Sequence, residues 1–145
     1  MERQVTDHTL IFEKNRVKSF TRWPHKSVSL SKENMAKAGW FKCCVNTNDD
    51  AVQCFCCLKQ LDGWKPDEDP WKEHLDHSPD CEFAKIGLEQ DKLTLPQFLV
   101  IMEKRSINLV EKKFNDEKHE EKKLLKKLGI YQYIRGDSKS DTDDE

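Results

Sequence analysis

The sequence predicts an α+β fold: a small domain with a three-stranded antiparallel sheet and short helices, followed by one long C-terminal α-helix. Three observations predict it. All six cysteines, all four tryptophans and four of the five prolines fall within residues 16–92. Inside that span, short apolar runs alternate with turn-forming clusters, as in a small sheet. Beyond Gln97 no glycine or proline occurs until Gly129, and apolar residues recur at helical spacing.

Residues 1–15 carry little pattern beyond Leu10, Ile11 and Phe12 and read as a separate N-terminal segment. The compact domain is assigned to 16–92. Ser31, followed by Lys32–Ala38 and then Gly39, reads as a short helix. A serine hydroxyl accepts from an early helical N–H, and glycine suits the left-handed turn that ends a helix. Trp40–Cys44, Ala51–Cys56 and Leu58–Trp64 read as the three strands, separated by Asn46–Asp50 and by the Cys54–Cys57 turn. Asp69-Pro70 starts the next helix, with aspartate as cap and proline at the first helical position, where no N–H is needed. Pro79 ends that helix, and a further one is expected over Cys81–Gln90.

Thr94 to Gln97 is a capping box, with Pro96 tolerated in the first turn. Apolar residues then fall at 95, 98, 99, 102, 109, 110, 114, 124, 125, 128 and 131, mostly three, four or seven apart. A single helix from 95 to 133 would be about 58 Å long at 1.5 Å per residue, too long to lie on so small a domain. It would project and need a partner over its stripe, although a solvated helix held by Glu–Lys pairs is the alternative. Its middle, Asn115–Lys123, has no apolar residue, and Leu124, Leu125, Leu128 and Tyr131 form an outer set. Residues 136–145 are acidic and polar and are expected to be disordered.

Composition excludes several classes. Charged residues make up 36% of the 145, above the roughly 25% of an average globular domain, so the chain cannot be one core from end to end. The formal charge of −2 hides a near-neutral front, a basic segment over 93–135 and an acidic tail. With no large positive charge to release counterions, direct sequence-specific nucleic-acid binding is not expected. No run of 18 apolar residues and no signal-peptide pattern occurs, so neither a membrane span nor secretion is expected.

The sharpest chemical signal is Cys54-x2-Cys57-x16-His74-x6-Cys81. Three thiolates and one imidazole complete a tetrahedron, which is the donor set of a closed structural zinc site. Buried free thiols or a redox Cys-x-x-Cys are the alternatives, but a redox pair needs no downstream His and Cys. One structural Zn2+ is therefore expected. Cys43, Cys44 and Cys56 are spare, and Cys56 reads as a small core residue facing away from its neighbours. They lack an obvious base, so no enzyme is expected.

Residues 62–82 carry Asp62, Asp67, Glu68, Asp69, Glu73, Asp76, Asp80 and Glu82 against Lys65 and Lys72 alone. Carboxylates beside Leu61 and Trp64 suit the α-amino group and small first side chain of a peptide. Taken alone, the run reads first as a solvated acidic surface, ahead of a peptide site. His77 with Lys59 suits phosphate, whereas His77 alone reads as an exposed helix residue.

These motifs carry a resemblance. Arg16-Val-Lys-Ser-Phe20-Thr-Arg-Trp23-Pro24, Met35-Ala-Lys-Ala-Gly39-Trp40, Gln53-Cys54-Phe-Cys-Cys57, Gly63-Trp64-x-Pro66-x-x-Asp69-Pro70-Trp71, His74 and Cys81 resemble the baculovirus inhibitor-of-apoptosis repeat (BIR) over about residues 15–90. One repeat, the link Leu93-Thr-Leu-x-x-Phe98-Leu and a charged helix in place of a RING resemble the single-repeat members of that family.

The resemblance implies that Cys54, Cys57, His74 and Cys81 hold the zinc. It implies that Glu68 and Asp62 take the amine of an N-terminal alanine, Leu61 and Trp64 hold its methyl group, and the two acids stand in reversed lengths. Caspase-type grooves have a tryptophan where this chain has His77. Lys59 and His77 are implied to read a phosphothreonine two residues after the alanine, on a phosphorylated histone tail. The helix is implied to bundle with borealin-like and inner-centromere-protein-like helices and so to serve an Aurora-type kinase indirectly. Its interface would use Leu93, Leu95, Phe98, Leu99, Met102, Leu109, Val110 and Phe114. The free chain is implied to form a homodimer around Leu93, Leu95 and Phe98, with Pro96 standing where the family has glycine.

The implied function is a non-enzymatic adaptor of the chromosomal passenger complex in mitosis and cytokinesis. Its implied locations are nucleus and cytoplasm, then centromere, and later spindle midzone and midbody. The alternative is an apoptosis inhibitor that binds caspases or the N-terminal-alanine peptides of their antagonists.

Overall fold

The computed structural model describes residues 7–43 and 48–130. The chain divides between Leu109 and Val110 into two units. In the first, helices α1 (Glu13–Ser19) and α2 (Lys32–Lys37) precede strands β1 (Trp40–Lys42), β2 (Val52–Cys54) and β3 (Gln60–Leu61). Helices α3 (Pro70–His77) and α4 (Glu82–Ile86) follow, and then α5 (Leu95–Lys127), which runs across the division. The sheet is antiparallel in the order β1-β2-β3, with Trp40 opposite Cys54 and Val52 opposite Leu61.

Local caps set the helix starts. Ser31 Oγ accepts from Asn34 N–H at 3.3 Å, and Asp69 Oδ1 accepts from Trp71 and Lys72 N–H at 2.8 and 3.0 Å. Thr94 N–H donates to Gln97 Oε1 at 2.9 Å, while Gln97 N–H returns to Thr94 Oγ1 at 3.4 Å. Each of these bonds satisfies a backbone N–H that the helix itself leaves unpaired.

Several expected bounds move. The strands are shorter than the apolar runs, because residues 55–57 form a turn and Leu58 takes a positive φ of 65°. Cys56 therefore lies in the turn and not on a strand, although it is fully buried as expected. The helix expected over Cys81–Gln90 stops at Ile86, where left-handed Gly87 ends it, and a 3-10 turn covers Gln90–Lys92. The N-terminal segment is not patternless: a 3-10 turn spans His8–Ile11, α1 starts ahead of residue 16, and Leu10 is buried. α5 ends at Lys127 and not near 133. Gly129, at φ 71°, lets its own N–H reach Lys126 O and that of Ile130 reach Leu125 O, closing the last turn. Cys44, Asn46, Tyr131 and the acidic tail lie outside the described residues.

The core of the first unit gathers Leu10, Phe20, Leu30, Met35, Trp40, Phe41, Phe55, Phe83 and Ile101. Arg16 is buried within it. Its Nε donates to Ala36 O at 3.0 Å, its Nη1 to Leu10 O and Ile11 O, and its guanidinium lies 4.4 Å from the Phe55 ring centre. Burial lowers its pKa to about 10, which still leaves it charged at neutral pH. In the second unit the helix Val110–Lys127 is solvated and laced by pairs such as Lys112–Asp116 at 2.8 Å.

Gly39 has a φ of 92°, and a Cβ there would lie 2.9 Å from two atoms of the Phe83 ring. Gly63 has a φ of 71°, but a Cβ would meet nothing within 4 Å. Gly39→Ala adds a core clash to backbone strain and should cost roughly 2–4 kcal/mol, whereas Gly63→Ala carries the strain alone at roughly 1–2 kcal/mol. Thermal unfolding of both variants checks this, and equal losses would remove the Phe83 contact from the explanation.

Candidate functional site

The metal centre is built from four elements. Cys54 ends β2, Cys57 closes the following turn, His74 sits inside α3, and Cys81 is the N-cap of α4. Their four ligand atoms lie within 4.8 Å of one another. Bonds of about 2.0–2.3 Å around a tetrahedral zinc give ligand–ligand edges of roughly 3.3–3.8 Å. The 3.6 Å between Cys57 Sγ and His74 Nε2 falls in that range. His74 Nδ1 is 2.7 Å from Ala38 O, which places the proton on Nδ1 and leaves Nε2 free to bind. Cys56 and Cys57 N–H groups approach Cys54 Sγ at 3.3 and 3.5 Å, the pattern that supports a bound thiolate.

The electrostatics agree. Burial alone would lower the His74 pKa, but hydrogen bonds to Cys57 and Cys81 and their charge raise it to about 9. Hydrogen bonds from Cys54, Cys56, Cys57 and His74 pull the Cys81 thiol far down against burial. Burial and the neighbouring thiols push the Cys54 thiol up, so the crowded ligands hold protons that a metal displaces on binding. The set fits one structural zinc with no position left open for a substrate. Cys56 stays outside it: a hydrogen bond to Cys81, and burial, push its thiol far up.

The second feature is a cleft of about 260 Å³. It is lined by all six residues picked from the sequence for a peptide, Lys59, Leu61, Asp62, Trp64, Glu68 and His77, and also by Gln60, Gly63 and Glu73. Trp64 is buried edge-on against Trp40, with ring centres 5.8 Å apart. Asp62 is exposed and Leu61 and Glu68 are half-buried. Glu68 Oε2 accepts from Lys65 N–H at 2.9 Å, and its carbonyl accepts from Ser29 Oγ. His77 Nε2 lies 3.5 Å from Glu73 Oε2.

Sequence reasoning missed Asp50 and His25. Asp50 accepts from Gly63 and Trp64 N–H at 2.9 and 2.8 Å and from His25 Nε2 at 2.9 Å, so it fixes the backbone of the cleft wall. Burial pushes its carboxyl up, but those bonds outweigh it and hold the pKa below the usual range. No local motif signals this, because the partners lie 13, 14 and 25 residues away.

The helix residues separate into two groups. Leu93 and Met102 are half-buried against the core, Phe98 and Leu109 are half-buried, and Leu99 is exposed. Leu95 is 69% exposed, Val110 70% and Phe114 63%. The face seated on the domain is instead marked by Ile101 and Arg105, both fully buried and both overlooked in the sequence. Arg105 stands in a charged run that reads as solvent-facing.

One zinc per chain is expected by metal analysis. His74→Ala should leave the domain unfolded at neutral pH, since structural zinc contributes on the order of 10 kcal/mol and the ligands must lose protons to bind it. Zinc retention should also fall as pH drops. A His74→Ala chain with native tryptophan fluorescence and hydrogen-exchange protection would defeat this assignment.

Comparisons with known proteins agree with this geometry. The Inhibitor of Apoptosis domain family (BIR) matches residues 16–85. Baculoviral IAP repeat-containing protein 5 of Cavia porcellus is 37% identical over 112 residues, which is 77% of this chain and 79% of that protein. The Mus musculus protein of the same name is 35% identical, over 77% of this chain and 80% of its own length. Baculoviral IAP repeat-containing protein 5.2-A of Xenopus laevis is 35% identical over 79% of this chain and 78% of its own. Among solved structures, DIAP1 BIR1 bound to a Grim peptide is 32% identical, covering 51% of this chain and 71% of that one, with a TM-score of 0.44. By sequence and ligand set together, the chain belongs to the inhibitor-of-apoptosis family, among its survivin-like members.

Proposed function

We propose that this chain is a non-enzymatic adaptor that reads an N-terminal Ala-x-phosphothreonine histone tail through its cleft and holds partner helices through α5. One observation carries the reading: a single cleft gathers carboxylates, a small apolar wall and the nitrogen donors of Lys59 and His77. The peptide ammonium donates to Glu68 and Asp62, and the alanine methyl group packs on Leu61 and Trp64. The phosphate accepts from Lys59 and His77. Charge-assisted bonds of this kind are about twice as strong as neutral ones. Binding of phosphate draws His77 away from Glu73, its neighbour on α3.

The exposed apolar side chains of α5 support the second half. Leu95, Leu99, Val110 and Phe114 stay uncovered in the single chain. Helices like those of borealin and the inner centromere protein are the proposed cover, bringing an Aurora-type kinase with them. A homodimer around Leu93, Leu95 and Phe98 is the proposed state of the free chain. An adaptor of this kind works at centromeres in early mitosis and at the spindle midzone and midbody later, from a nuclear and cytoplasmic pool.

The cleft also suits the unphosphorylated N-terminal alanine of an apoptotic peptide, so the test compares the two. The zinc-loaded chain should bind an Ala-Arg-phosphothreonine peptide more tightly than its unphosphorylated form and than an Ala-Val-Pro peptide. Acetylation of the peptide amine should abolish binding. Equal affinity with and without phosphate at low salt would favour the apoptotic reading. Glu68→Gln keeps an acceptor for the Lys65 N–H and removes the charge, and should cost about 1.5–3 kcal/mol of peptide affinity by calorimetry.

For the helix, Leu99→Glu with Phe114→Glu should abolish assembly with the partner helices in size-exclusion chromatography. Zinc content and peptide binding should stay at wild-type values. Assembly that survives both charges would place the interface elsewhere. Met102 is unsuited to this test, because it packs on the core of the domain.

A further inference from the structure

The turn that carries two of the zinc ligands is also the seat of α5. Arg105 Nη1 donates to the carbonyl oxygen of Phe55. Asn108 Nδ2 donates to that of Cys56 at 2.9 Å. The Cys56 thiol in turn approaches Ile101 O on α5 at 3.8 Å. Phe55 and Cys56 are the two residues between the ligands Cys54 and Cys57.

The peptide planes make the connection. In a trans peptide the N–H and C=O point in opposite directions from one rigid unit. The unit joining Phe55 to Cys56 directs its N–H at Cys54 Sγ, 3.3 Å away, and its C=O at Arg105. The unit joining Cys56 to Cys57 directs its N–H at the same sulfur, at 3.5 Å, and its C=O at Asn108. Two consecutive planes therefore each span from a metal-binding sulfur on one side to a helix side chain on the other. Donation to the carbonyl polarises the amide and strengthens the N–H bond to the thiolate.

We propose that these two peptide units couple metal retention to the docking of α5, with Arg105 and Asn108 as positioning residues for the zinc turn. With zinc bound, the thiolate fixes both planes and presents both carbonyls to the helix. Without it, the planes turn freely and the helix loses two anchors. The coupling is reciprocal, so loosening the helix weakens the hold on the metal by the same factor. The inference stands apart from the identity of any partner, since it concerns only this chain and its metal.

The test follows zinc release from the full-length, zinc-loaded chain into excess chelator, read with a metallochromic indicator. Hydrogen exchange over residues 98–109 is measured alongside. Asn108→Ala should release zinc about fivefold faster or more, the low end of typical coupling between sites, and should expose the amides of 98–109. Asn108→Gln, which keeps an amide donor, should fall between alanine and wild type. Glu103→Ala, on an exposed position of the same helix, should match wild type. Arg105→Lys extends the series, and Asn108 carries the test alone where the buried arginine cannot be replaced. Wild-type release from Asn108→Ala overturns the proposal, whether or not the helix has loosened. Equally fast release from Glu103→Ala overturns it too, because general destabilisation then explains the effect.

Discussion

His74 is the side chain on which the first unit depends. One ring nitrogen is bound to Ala38 O at the end of α2, and the other faces Cys57 across the metal centre. Through this one imidazole, α2, α3, the β2 turn and the start of α4 meet at one point. The sheet around it has strands of only two or three residues, too short to stand without covering elements and a fixed centre. Three thiolates around a divalent ion leave one net negative charge, and the buried Arg16 guanidinium, attracted by Cys54, answers it. Arg16 in turn ties Leu10, Ile11 and Ala36 together through their carbonyls, so the charge balance of the centre also closes the N-terminal face of the domain.

The cleft depends on the same framework at one remove. Asp50, fixed by His25, accepts two successive N–H groups and so holds the chain that leads from β3 into Trp64. Trp64 rests on Trp40, and Trp40 donates through its indole N–H to Pro70 O at the start of α3. A wall built in this way is rigid before any ligand arrives, which lowers the ordering cost of binding. Carboxylates clustered in a concave place also raise the local field that draws in a cation.

Much of this was legible in the sequence because its causes are local. The caps at Ser31, Asp69 and Thr94 and the helix-ending Gly39 act through neighbours a few residues away, and the structure reproduces each. The zinc ligands are far apart in the chain but were legible because their residue types and spacing form a recognisable donor set. The cleft residues were legible through the resemblance more than through their own chemistry. What could not be read was long-range. Gly87 is the exception, a local stop signal of the same kind as Gly39 that the expected helix ran through, and a run of apolar residues does not show where a turn takes its last positions. Most plainly, the apolar spacing of α5 suggested one stripe, while the domain is met by Ile101, Arg105 and Asn108. Met102 packs on the core beside Ile101, but the polar members of that face, Arg105 and Asn108, donate to carbonyls about 50 residues earlier in the turn, which no local pattern shows.

The anchoring of α5 on main-chain oxygens has a consequence for how the sequence can drift. A carbonyl is present whatever side chain its residue bears, so no substitution at position 56 can delete the acceptor that Asn108 uses. The contact is vulnerable from one side only. Changes on the helix can break it, and changes in the turn can break it only by redirecting the backbone, which the metal resists. Variation should therefore be tolerated unequally across an interface whose two sides touch each other in equal measure.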